Sequence, residues 1–119
     1  VTELSQAALV AMSTWIDDGN ARRLVGQSWE QLEAEVILLH RTIKVAEELG
    51  EAVTNLIGFT GANPRKGTLG TEADILAELL DVAVTALGAY EHIDGNRGRS
   101  MAALDAKIVA VAKRAGVLS

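Results

Sequence analysis

Lys44-Val45-Ala46-Glu47-Glu48-Leu49-Gly50-Glu51 lies in the middle of the longest helical pattern in the chain, and its reading decides the fold. At about 100° of turn per residue, a helix stacks Lys44, Glu48, Glu51 and Asn55 along one side and sets Ala46, Gly50 and Val53 on another. Apolar residues border the acid stripe on two sides. Leu32, Val36, Leu39, Ile43, Ala46, Gly50, Val53 and Ile57 follow the alternating four-three spacing of a core-facing seam, and Leu38, Val45, Leu49 and Leu56 make a second line across the helix. Two apolar faces predict that the carboxylates lie in a groove between packed helices. Close acids in such a groove repel one another and lose hydration, and a bound metal is the simplest relief.

Working outward, Ser28 with Gln31 has the capping-box form and opens this second helix, which is predicted to end near Ile57, with Gly58 and Gly61 as its stop. Gly50 in its interior suggests close backbone approach by a neighbouring helix. Before it, Leu4, Ala7, Ala8, Ala11 and Trp15 recur at helical spacing from Thr2 to about Asp18, and Asp17-Asp18-Gly19-Asn20 reads as the stop. Trp15 is then a core or interface anchor, and Arg22 and Arg23 fall in the connection. After the second helix, Gly58 to Gly70 reads as a long loop carrying the chain's one Pro and the adjacent cations Arg65 and Lys66. Thr71 caps a third helix running to about His92, apolar over most of its circumference, with Asp74, Glu78, Asp81 and Thr85 on the narrow remainder. A turn from Ile93 to Arg99 leads to a fourth helix capped by Ser100 and ending near Gly116.

At 119 residues the chain is read as one domain, 1–119. Much Ala and Leu, aromatics at 3% and a single Pro indicate packed helices, so the fold class is all-α. No Cys is present, which excludes disulfides, thiolate metal sites and a cysteine nucleophile. A formal charge of -5 argues against nucleic acid and anionic lipid as partners. Charged residues interrupt every apolar run before the roughly 20 residues a bilayer needs, and the first residues carry no secretory pattern. These features predict a soluble cytoplasmic protein.

Two antiparallel helices, each with acids three residues apart, can bring Glu48, Glu51, Glu78 and Asp81 to one point. An all-oxygen anionic shell suits a hard divalent ion such as Mg²⁺. Glu47-Glu48-Leu49-Gly50-Glu51 followed by Glu78-Leu79-Leu80-Asp81 resembles the Glu-Glu-x-x-Glu and Glu-x-x-Asp pair of the MazG-like, all-α nucleoside triphosphate pyrophosphohydrolases. The resemblance covers Trp29 to Asp81 by motif and, through the helix order, the whole chain as a four-helix bundle. Lys44, one turn before Glu48, matches a lysine often found in this family.

That resemblance implies hydrolysis of a nucleoside triphosphate, often a deoxynucleotide, to the monophosphate and pyrophosphate. Glu48, Glu51, Glu78 and Asp81 are its implied ligands for Mg²⁺ or, in its place, Mn²⁺. Glu47 is implied as the group that orients water or a ligand, and Lys44 as the charge that offsets the acids. It also implies a bundle and pocket completed by oligomerisation, as a homodimer or homotetramer. Candidate substrate contacts are Trp29, His40 and Tyr90 for the base and Asn96, Arg97 and Lys107 for phosphates. Set against these are structural roles: Trp29 as a capping anchor, His40 as an interhelical hydrogen-bonding residue and Tyr90 as core. The alternative reading is a non-catalytic helical module whose acid stripes are solvated and whose task is association with another protein. A di-iron carboxylate site is disfavoured because neither His40 nor His92 has a Glu three residues earlier.

Overall fold

The computed structural model describes residues 2–119, and the secondary structure among them is four α-helices with no strand. They are α1 (Glu3–Leu24), α2 (Trp29–Thr60), α3 (Glu72–Ile93) and α4 (Ser100–Arg114). The chain, read from sequence as one domain, divides into two compact units, 1–36 and 37–119, with the boundary inside α2.

In the first unit, extended Thr2 caps α1 by accepting the Ser5 N–H through its hydroxyl at 3.0 Å. The expected stop at Asp17–Asn20 does not end the helix, which continues through Gly19 to Leu24. A helix-interior glycine costs only about 1 kcal/mol, and Arg22 and Arg23, expected in a connection, sit in the last turn, where cations complement the helix dipole. Arg23 also pairs with Glu35 in the first turns of α2. From Leu4 to Ile16 the helix carries apolar side chains around its circumference, and they are exposed: Trp15, expected as an anchor, is 72% exposed.

The entry to α2 follows the sequence closely. Ser28 Oγ accepts the Gln31 N–H at 3.1 Å while Gln31 Oε1 accepts the Ser28 N–H at 2.8 Å. Its exit comes later than predicted. The helix passes through Gly58 to Thr60 and closes when Gly61 turns left-handed at φ 67°, with Ala62 N–H donating to Ile57 O and Gly61 N–H to Gly58 O.

In the second unit, the covered side of α2 is not the expected seam. Val45, Glu48 and Asn55 are half-buried and Ala52 is 5% exposed, whereas Leu39, Ile43, Val53 and Ile57 are exposed, Ile43 at 63%. On α3 the matching half-buried positions are Ile75, Glu78, Val82, Thr85 and Ala89. A mixture of β-branched, small and polar residues thus lines the covered sides of α2 and α3, and the longer apolar side chains of α2 are exposed. Nothing lies within 4 Å of where a Cβ would stand on Gly50, so no helix of this chain makes the expected close approach.

Thr71 opens α3 with a complete capping box, its N–H donating to Asp74 Oδ2 at 2.8 Å and its hydroxyl accepting the Asp74 N–H at 3.3 Å. Ser100 is the first residue of α4, not its cap; Arg99 holds the cap position without a side-chain bond. The work of capping is done from α3: the Glu91 carboxylate accepts the N–H groups of Gly98 and Ser100, each at 2.8 Å. Arg99 grips Asp94 with two hydrogen bonds beside it. No helix among the described residues is long and apolar enough to cross a membrane.

Candidate metal centre

Spacing of i, i+3 puts Glu78 and Asp81 side by side on α3, and the loop after α2 returns α3 alongside the acid stripe. One carboxylate oxygen from each of Glu48, Glu78 and Asp81 lies within 4.8 Å of the others. Glu48 and Glu78 are half-buried and Asp81 is exposed, so the cluster opens to solvent on one side. Within it, Glu78 Oε2 is buried and has no hydrogen-bond partner. An enclosed carboxylate oxygen without a donor is costly, and here its neighbours are two more acids.

Glu51, the fourth expected ligand, stands outside this group and is exposed. It still feels the cluster: the negative charge of Glu48, then desolvation, then the charge of Glu78 push its carboxyl above the usual range. Lys44 faces the acids from one turn earlier, with its ammonium 3.2 Å from Glu47 Oε1 and 3.4 Å from Glu48 Oε1. Hydrogen bonds to Glu47 and then Glu48 hold its pKa above the ordinary lysine value. One lysine among these acids leaves the site strongly anionic. Three convergent carboxylates, an orphan oxygen and an open side fit a hard divalent cation that keeps water or phosphate oxygens in its remaining positions.

Arg41 was not singled out in the sequence. Its guanidinium reaches α3, 3.6 Å from where a Cβ would stand on Gly88, and it makes no ion pair among the described residues. Arg41 precedes Glu48 by seven residues and Gly88 follows Asp81 by seven, so both lie one heptad from the acids on the facing stripes. That spacing was the available signal.

The expected substrate contacts are dispersed. Trp29 opens α2 in the first unit and is 86% exposed, and His40 is exposed instead of bonded between helices. Tyr90 and Lys107 come together, lining with Leu87, Ala103 and Leu104 an apolar cavity of about 350 Å³ between α3 and α4. Asn96 and Arg97 belong to the α3–α4 turn, which follows the end of α3 twelve residues, roughly 18 Å of helix, beyond Asp81. Asn96 has a turn-forming role there, left-handed at φ 56° with its N–H on Glu91 O.

No family model, curated protein or solved structure matches this chain. The MazG-like resemblance therefore rests on the two acid motifs and the helix order.

Proposed function

We propose that this chain is a cytoplasmic, MazG-like, divalent-metal-dependent hydrolase that converts a nucleoside triphosphate to the monophosphate and pyrophosphate. The observation that carries the reading is the meeting of Glu48, Glu78 and Asp81 from two helices around a partnerless Glu78 oxygen. Glu48, Glu78 and Asp81 would hold Mg²⁺ or Mn²⁺, with Glu51 beside them. Bound there, the ion supplies charge neutralisation for phosphate oxygens and acidifies water. Lys44 fixes the Glu47 carboxylate through its 3.2 Å contact, and Glu47 takes the proton as water oxygen bonds to the α-phosphorus. The bond from the α-phosphorus to the bridging oxygen breaks, and pyrophosphate leaves with that oxygen.

Assembly from copies of the same chain belongs to this reading. Leu39, Ile43, Val53 and Ile57 on α2 and Leu76, Leu80 and Val84 on α3 are exposed. The outward apolar lines of α2 and α3 are what a second copy would cover.

The same exposed apolar surface also supports the alternative, a non-catalytic module that associates with other proteins. Glu48→Gln separates the two. Hydrolysis of triphosphates that depends on Mg²⁺, stops with chelator and falls at least 100-fold in this variant is the expected result. Absence of metal-dependent pyrophosphate release from the wild-type chain across the common triphosphates sinks the enzyme reading.

A further inference from the structure

The α2–α3 hairpin carries a second chemical feature beyond its acids. Where the loop folds back on the end of α2 it encloses a cavity of about 280 Å³, lined by Thr54, Ile57, Asn63, Lys66 and Leu69 among others. The loop is built, not slack: Leu69 N–H donates to Gly58 O at 2.7 Å and Lys66 N–H to Asn63 O at 3.1 Å. Gly58 permits this return, since a Cβ there would stand 3.3 Å from Leu69 O. Asn63 Oδ1 accepts the Arg65 N–H at 3.2 Å, which fixes the amide and leaves Nδ2 as a free donor. Among the described residues the Lys66 ammonium pairs with no acid, although the chain is acidic overall.

The cavity thus combines two apolar residues, Ile57 and Leu69, with two residues whose side chains carry donors, Asn63 and Lys66. A phosphate would use the ammonium and neither apolar residue. A flat heterocycle with ring carbonyls would use all four. Thr54 lies three residues past Glu51, roughly 5 Å along α2 and about 60° round the helix from it, so the near edge of the cavity adjoins the acid stripe. Arg41 lies on the other side of the acids, roughly 10 Å from Glu48, as a free cation for a phosphate tail. The site therefore has a direction.

We propose that the α2–α3 loop cavity is the nucleobase subsite of the hydrolase proposed above, and that it selects bases rich in carbonyl acceptors. Uracil, thymine and guanine offer oxygens to both donors; adenine offers no carbonyl and sets an amino donor against them. The inference rests on the hydrolase reading for its ligand class, and its test is a binding measurement that needs no turnover.

The full-length ¹⁵N-labelled protein is titrated with UMP, AMP and inorganic pyrophosphate in the presence of Mg²⁺, and Asn63→Ala and Lys66→Met are titrated alongside. UMP is expected to shift the amides of Thr54, Asn63, Lys66 and Leu69 and to bind about tenfold tighter than AMP, a preference that either substitution reduces severalfold. Pyrophosphate is expected to shift the surroundings of Glu48 and Asp81 instead. The proposal is overturned if UMP and AMP bind alike, if pyrophosphate shifts the loop as UMP does, or if UMP shifts the Tyr90–Lys107 cavity and not the loop. UMP binding in the loop of a chain that hydrolyses no triphosphate would remove the hydrolase reading and leave the subsite standing.

Discussion

The Lys44 ammonium stands 3.4 Å from Glu48 Oε1, so the half-buried acid of α2 has one cationic partner supplied by its own helix. Lys44 therefore competes with any metal for Glu48, while lowering the repulsion that the acids exert on one another. Lys44→Met should tighten Mg²⁺ binding by roughly threefold at low ionic strength, an advantage that shrinks with added salt. Calorimetric titration at two salt concentrations measures this; unchanged or weaker binding would show that Lys44 does not compete.

Glu78 makes the opposite trade. Its Oε2 is buried without a donor, and its carboxylate shares the cluster with Glu48 and Asp81. Glu78→Gln should raise the melting temperature by a few degrees in chelator, because an amide removes charge from the cluster. The same substitution should abolish the rise that Mg²⁺ produces in the wild-type protein, since binding to the folded state is what stabilises it. A variant that melts lower than wild type in chelator would mean that the cluster is already satisfied without a cation.

Acid stability is set at the other end of α3. Hydrogen bonds from Ser100 and then Gly98 hold the Glu91 carboxyl below its usual value of 4.5. A folded-state value below the unfolded one means that the carboxylate's contribution is fully present above the unfolded pKa and is lost as pH falls through the folded one. Glu91→Gln should therefore destabilise the protein at pH 7 and flatten the decline of stability below about pH 4.5. Urea midpoints from pH 7 to 3 check both limbs; parallel curves for variant and wild type would contradict the assignment.

These three sites differ in how well sequence announced them. The capping box of Ser28 was readable because its partners lie three residues apart, Thr71 was readable as a cap but not as a box with Asp74, and the acids of α3 were readable from their i, i+3 spacing. Glu91 was not, since its partners Gly98 and Ser100 depend on the path of a turn. Glu48, Glu78 and Asp81 converge as expected, but Glu51 stays at the edge, because residue spacing fixes a helical stripe and not the rotation of one helix against another. The apolar seam through Ile43 was expected to face the core and is exposed in the chain: periodicity marks which side is apolar, not whether it is covered. Arg41 was missed because its meaning comes from Gly88 on another helix.

Leu80 tests that last point on α3. It is 67% exposed, and an isolated surface position of this kind usually tolerates a charge within about 0.5 kcal/mol. If a second copy covers the outward side of α3, Leu80→Glu should dissociate the assembly, with helix content retained. Sedimentation of wild type as an oligomer and of the variant as a monomer is expected; two monomers at tens of micromolar would remove the self-association reading.

Gly50 gives the finer test, since the helix and the interface respond to it in opposite directions. Nothing in the chain lies within 4 Å of a Cβ placed there, and the position is in the interior of α2. For the isolated chain, Gly50→Ala should stabilise by about 0.5–1 kcal/mol through helix propensity alone. Ala46, Gly50 and Val53, however, lie on the exposed seam proposed to meet a second copy, where a small residue lets two helices approach. The added methyl group should then weaken association, so that the variant melts higher than wild type at dilution and loses that advantage as concentration rises. Melting curves across a hundredfold range of protein concentration decide it. A gain of equal size at every concentration would mean that no helix packs against Gly50 in the assembly.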